Sequence, residues 1–196
     1  MIIDFCNTCN SYDKNNYKKN SFLETECPKC KVVGLFDKHA YYLRNMIFFC
    51  GENLYERQKE ILRVICKSCN STHAVLPYDI VPYKLVSSIC IIKLLIMIFI
   101  KMLSYEKVLL SIGIVSLRLI SIYKKKFLKY INEIANLLRN IKKEIPPKIS
   151  PQIILNQITS IKYKRFLKMY IQYNGKVFFM EKMQNKITKI IYIGTK

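Results

Sequence analysis

Apolar residues are spaced differently in the two halves of the chain. Residues 40–50, AYYLRNMIFFC, are dense in aromatic and aliphatic side chains, and residues 58–66, QKEILRVIC, alternate. With the turn signal Gly51-Glu52-Asn53 between them, they predict a β-hairpin. Pro77 and Pro82 bracket a non-helical connector, LPYDIVP. Beyond it, helical patterns run from about Val86 to Glu144 and stop at Pro146-Pro147. A further helix is predicted from Gln152 to Tyr173, closed by Asn174-Gly175. Residues 10–25 are polar without period and read as a loop. The last twenty residues fit strand or helix.

Residues 105–124, YEKVLLSIGIVSLRLISIYK, have the pattern of a helix-turn-helix. Gly113 falls at the turn, and Val108, Ile112, Ile114, Leu119 and Ile122 fall where the two helices would pack. Ser116 is placed to cap the second helix. The groove-facing positions of that helix would be Val115, Ser116, Leu117, Ser121 and Lys124, a set short of the Arg, Asn and Gln that read base edges. A plain helical hairpin fits the same pattern. Further on, Phe127, Ile131, Ile134, Leu138 and Ile141 form an apolar stripe for a core or a homodimer. Residues 85–103 approach the length of a membrane span, but Lys93 sits at the middle, at about 2.5–3.5 kcal/mol on insertion scales. A buried core helix with Lys93 snorkelling outward is the expected alternative.

Three cysteine pairs have CxxC spacing: Cys6/Cys9, Cys27/Cys30 and Cys66/Cys69. Two intervening residues let one tight turn present both sulfurs to one ion, and two such turns make a tetrahedral zinc site. Cys27/Cys30 with Cys66/Cys69 encloses the predicted hairpin, as in a zinc ribbon. Cys6/Cys9 with Cys27/Cys30 has acceptable spacing but encloses only polar sequence. Cys6/Cys9 is then a spare pair, a second partial metal site, or incidental. His73 is read as a hydrogen-bonding structural residue rather than a ligand, and His39 as a strand-edge residue. Cys50 and Cys90, in apolar runs, are read as small buried hydrophobes. A redox CxxC belongs in a βαβ unit, and none is visible.

Charge changes the picture more than composition does. The net charge is +20, but residues 1–80 carry a net of only +2, and residues 81–196 carry +18. Lys outnumbers Arg by 27 to 6, as AT-rich coding favours, yet such bias does not explain the imbalance between the halves. A basic surface attracts polyanions, nucleic acid or an anionic membrane. Arg118, Lys124, Lys125, Lys126, Lys129, Arg139, Lys142 and Lys143 would line the solvent side of the long helical stretch. Lys162, Lys164, Arg165 and Lys168 form a second cluster, interleaved with Tyr163 and Phe166. Such groups hold phosphates without reading sequence, so double-stranded DNA is the expected partner. After Asp79 the only acidic residues are Glu106, Glu133, Glu144 and Glu181, too few for a two-metal nuclease. With two histidines in all, general acid–base catalysis is poorly supplied, and no enzyme activity or small-molecule substrate is expected. The start, MIIDFC, has no secretory pattern, and eight cysteines without one read as thiolates in a cytoplasmic, nucleoid-associated protein.

CPKC, FDKHAYYLR and ILRVICKSCNSTHAVLPYDIVPY, followed by a helix-turn-helix-like segment, resemble a family of small proteins of unassigned function from low-GC Gram-positive bacteria. Members of that family look like the detached zinc-ribbon and helix-turn-helix front end of insertion-sequence transposases. The resemblance implies structural zinc at Cys27, Cys30, Cys66 and Cys69 and a DNA-binding role without catalysis. It leaves Cys6/Cys9 outside the pattern. Lys31 and Asn70 depart from it, standing where such knuckles usually have Gly. The expected fold class is α+β: an N-terminal extension (1–26), a zinc ribbon with its connector (27–83), a helical helix-turn-helix-like domain (84–145) and a basic helical C-terminal region (146–196). The alternatives are a zinc-dependent protein–protein adaptor, or a membrane-associated protein using residues 85–103.

Overall fold

The computed structural model describes residues 1–17, 22–51, 53–112, 116–141 and 144–178. Among these, strands dominate the first half and helices the second, an α+β arrangement. Strands β1 (Ile2–Asp4), β2 (Phe36–Cys50), β3 (Asn53–Cys66) and β4 (Thr72–Pro77) form one sheet in the order β1-β4-β3-β2. The predicted hairpin is present and longer than expected. β2 and β3 pair antiparallel from Phe36↔Cys66 to Cys50↔Asn53, around a turn in which Gly51 takes φ +62°. One register irregularity falls between Lys38 and Ala40, and leaves His39 exposed.

β4 and β1 extend the sheet beyond that hairpin. β4 returns antiparallel along β3, and β1 adds in parallel along β4. The first seventeen residues, expected as part of an extension, therefore contribute to the core. The Tyr12 hydroxyl accepts from Leu62 N–H and donates to the Val75 carbonyl, and Tyr17 and Phe22 are buried and stacked. Gly34 takes φ +77°, and a Cβ there would lie 2.6 Å from the Leu23 carbonyl oxygen, so this approach requires glycine.

The helices are α1 (Ser88–Phe99), α2 (Tyr105–Ile112), α3 (Leu117–Asn140), α4 (Pro151–Ile161) and α5 (Tyr163–Asn174). Four begin with the same device. Ser87, Ser104, Ser116 and Ser150 each accept a hydrogen bond from the N–H three residues on, which satisfies a helix-start donor. α1 is almost wholly buried, and the Lys93 head escapes to the hairpin tip, where it donates to the Gly51 carbonyl (3.0 Å) above the Phe49 ring. No helix among the described residues is long and apolar enough to cross a membrane; α1 has twelve residues.

Two helical expectations need correction. The helix predicted over 152–173 is two, broken at Lys162 with φ +71°. The break lets Ile158 and Ile161 on one side, and Phe166 and Leu167 on the other, all reach the core. Ile122, expected between α2 and α3, is 43% exposed; Ile120 and Tyr123 are buried instead. Val108 is buried as expected, as are Phe127, Ile134 and Leu138 of the stripe on α3, with Ile131 and Ile141 packed beside them. That stripe faces the chain's own core. Gly113, Ile114, Val115, Lys142, Lys143 and the segment from 179 to 196 lie outside the described residues, as does the Ile112 side chain.

Two buried carboxylates tie the N-terminal segment down. Asp4 accepts from the N–H groups of Cys6 and Asn7, the Asn7 side-chain amide and the Tyr17 hydroxyl. Asp4→Ala leaves these donors unpartnered and is expected to cost about 3 kcal/mol in urea denaturation, against under about 0.5 kcal/mol for an exposed control such as Lys125→Ala. Asp79 accepts from Cys9 N–H at 2.7 Å, and burial pushes its pKa up to about 7. A raised folded-state pKa means stability is highest below the ordinary carboxylate range and is lost as pH rises toward 7. Asp79→Asn keeps the acceptor oxygen and removes the titration. Denaturation midpoints of wild type and variant, measured from pH 4 to 8, should therefore diverge with rising pH, in favour of the variant.

Candidate metal centre

Each CxxC turn is built the same way. In the first, Cys27 N–H donates to the Val32 carbonyl and Lys31 N–H to the Cys27 carbonyl; in the second, Cys66 N–H donates to Ser71 and Asn70 N–H to Cys66. The residue after each second cysteine must turn left-handed to close the loop, and Lys31 (φ +67°) and Asn70 (φ +54°) both do so. These are the two positions where glycine was expected. Asn adopts this conformation readily and Lys at a cost, so the turn geometry is imposed from outside.

The two turns face each other at the open end of the hairpin. One precedes β2 and the other joins β3 to β4, and the β2–β3 pairing starts at Phe36↔Cys66, beside them. The sulfur atoms of Cys27, Cys30, Cys66 and Cys69 all lie within 4.8 Å of one another. Cys27–Cys69 is 3.7 Å and Cys30–Cys66 is 3.6 Å. Four thiolates around one zinc at about 2.3 Å would stand about 3.8 Å apart, so the spacing suits a tetrahedral ion. Among the described residues this is the one grouping of three or more metal-ligating side chains.

The surroundings favour anionic sulfur. Burial opposes ionisation of Cys27, yet the N–H groups of Cys30 and Lys29 directed at its sulfur hold its pKa below the ordinary thiol value. The Ser71 hydroxyl, 2.8 Å from the Cys69 sulfur, and the Ser71 N–H draw Cys69 down to about 6. Burial pushes Cys66 up to about 11 against the N–H groups of Cys69 and Ser68. Donors preset around sulfur are what a cation-bound thiolate needs, and a divalent ion would overcome the remaining cost at Cys66.

His73 sits behind this cluster as a hydrogen-bonding residue. Its Nε2 is 3.4 Å from the Cys27 sulfur and 3.2 Å from the Ser71 hydroxyl, and Nδ1 is 3.4 Å from the N-terminal nitrogen. Burial, then the nearby N-terminal charge, lowers its pKa to about 4 and keeps the ring neutral.

A domain of unknown function, DUF6431, matches residues 27–108. The matched region begins on Cys27, contains all four clustered cysteines, and runs through the hairpin, β4 and α1 into α2. No curated protein and no solved structure matches the chain.

Cys6 and Cys9 lie outside the matched region and, among the described residues, do not converge with a third metal-ligating side chain. Cys6 is exposed; Cys9 is buried with its sulfur 3.4 Å from the Met46 sulfur, and burial drives its thiol far from ionisation. Cys50, expected to be buried, is exposed beside the Asn10 amide, while Cys90 is buried as expected. Of the cationic residues singled out, Arg118, Lys125, Lys129, Lys162, Lys164 and Arg165 are exposed, and Lys124, Lys126 and Lys168 are half-buried. Lys124 lies over the rings of Phe99 and Tyr105, and Lys168 over Tyr78. Ser116 acts as the α3 cap.

Purified protein should carry about one zinc per chain by elemental analysis, and Cys66→Ser should lose it along with the folding of the hairpin. A variant that kept the same zinc stoichiometry would remove Cys66 from the ligand set.

Proposed function

We propose that this chain is a zinc-binding, non-catalytic DNA-binding protein, derived from or related to the front end of a transposase, acting in the cytoplasm on the nucleoid. Zinc is the ion best suited to four thiolates at this spacing. Its role is structural, because all four positions of a tetrahedral site are filled by protein and none is left for substrate. The observation that carries DNA binding is the charge of the helical half: +18 over residues 81–196, with exposed cations on both α3 and the α4–α5 corner. Such a surface grips phosphates with little sequence preference.

A zinc-dependent adaptor is a second reading, favoured by one observation. Met102, Leu110 and Leu117 are 75%, 86% and 46% exposed around α2 and the start of α3, where a base-reading helix would carry polar side chains.

Fluorescence anisotropy with zinc-loaded protein and mixed-sequence duplex over a salt series separates the two. The DNA reading expects sub-micromolar affinity at moderate salt. It also expects a log–log slope of about −0.9 per phosphate neutralised, reduced by about two when Lys125→Glu and Lys129→Glu are combined. Absence of binding at moderate salt overturns it and leaves the adaptor.

A further inference from the structure

A cavity of about 580 Å³ lies where the hairpin tip, the start of α1 and the α4–α5 corner meet. It is remote in the fold from the four cysteines, which sit at the other end of the hairpin. Its walls include Phe48, Phe49, Ile89 and Tyr163, and it also contacts two small polar side chains, Thr8 and Asn10. Asp79, 2% exposed, also lines the cavity while its Oδ1 stays bound to Cys9 N–H. Lys93, Lys162, Lys164 and Arg165 bring cationic side chains to the lining. Lys93 is committed to the Gly51 carbonyl and the Phe49 ring. The other three are exposed and supply positive charge at the opening.

These three zones suit one kind of molecule. An apolar, partly aromatic wall accepts a flat ring; a buried carboxyl with an amide and a hydroxyl nearby accepts ring amino or imino hydrogens; a cationic rim accepts phosphate. A fatty acid would set hydrocarbon against the buried carboxyl, and inorganic phosphate would use only the rim. We propose that the cavity binds a nucleotide unit, its base inside against Asp79 and its phosphate on Lys162, Lys164 and Arg165. The unit comes either from a free nucleotide or from an unpaired nucleotide of a strand. The proposal does not rest on duplex binding by α3.

The test is calorimetric titration of the full zinc-loaded chain with the ribonucleoside monophosphates, a short mixed-sequence single strand, and inorganic phosphate. At least one nucleotide probe should bind about tenfold or more tightly than inorganic phosphate, as one stacked base provides. Saturation by a mononucleotide identifies a free nucleotide as sufficient; binding of the single strand alone identifies a strand nucleotide; both support the site. Combining Lys164→Glu with Arg165→Glu, both exposed, should weaken that binding about tenfold or more, while Lys101→Glu with Lys107→Glu, the same charge change at exposed positions before and on α2, should leave it within about twofold. Equal affinity for inorganic phosphate, no binding of any probe, or equal loss in both double variants overturns the proposal. Retained duplex affinity beside absent nucleotide binding overturns this inference alone. Retained nucleotide binding beside absent duplex affinity overturns the DNA reading alone.

Discussion

Four sulfur atoms converge from chain segments up to 42 residues apart, and an ion shared among them would fix the geometry of the strand-rich half. An isolated two-stranded hairpin is marginal in water, and along β2 the buried side chains are Phe36, Met46, Ile47 and Phe48. Pinning its open end fixes the register at Phe36↔Cys66, and the ladder then carries that register to the tip. The strain at Lys31 fits the same logic. A lysine held at φ +67° is unfavourable locally, and is sustained because the sulfur beside it has to point inward. At the far end, β2 is held by a different means. Ile47 N–H donates to the Leu85 carbonyl and Ser87 N–H to the Ile47 carbonyl, so the connector into α1 clamps the hairpin before its tip.

Between these two fixed ends, polar groups inside the core decide how the N-terminal segment lies. β1 has only three residues and three register pairs along β4, too few to hold by themselves. Asp4 at its end collects four donors, and the Tyr12 hydroxyl bridges β3 and β4. Asp79 then binds Cys9 N–H across 70 residues of sequence, joining the N-terminal turn to the segment that leads into the helices. A buried carboxylate is costly unless its donors are in place, so these contacts specify one arrangement more than they add stability.

The sequence signals that proved legible were those carrying a strict local geometry. CxxC spacing, the aromatic-dense and alternating runs, the Ser116 cap and the Asn174-Gly175 stop each constrain a few neighbouring backbone angles, and each is where the pattern puts it. β1 and β4 were not legible because their stability is non-local. Ile2–Asp4 has no partner in sequence nearer than Val75, and Thr72–Pro77 is short and ends on proline. The break at Lys162 has no signal either: among the described helices α5 alone starts without a side-chain cap, so nothing local marks its beginning. Cys50 and Ile122 are exposed for a related reason. Apolar neighbours in sequence predict burial only on average, and the hairpin tip and the outer face of α3 turn those side chains to water.

Charge is distributed in step with this division of labour. In the strand-rich half, lysines are offset by acids close at hand: Lys14 by Glu60, Lys31 by Glu26 and Lys67 by Asp37. Exposed pairs of this kind add little to stability, but they cancel the field that the half projects. In the helical half Glu133 is drawn inward by Tyr170 and Lys176, and so is withheld from the exposed lysines of α3. Lys124 and Lys168 spend their charge over aromatic rings, where it is only partly masked. Exposed cations remain on the outer surface of α3 and at the α4–α5 corner. The four-cysteine cluster thus lies in the strand-rich half, and the exposed cations lie on the helical one. The cavity at the hairpin tip lies where the two halves meet.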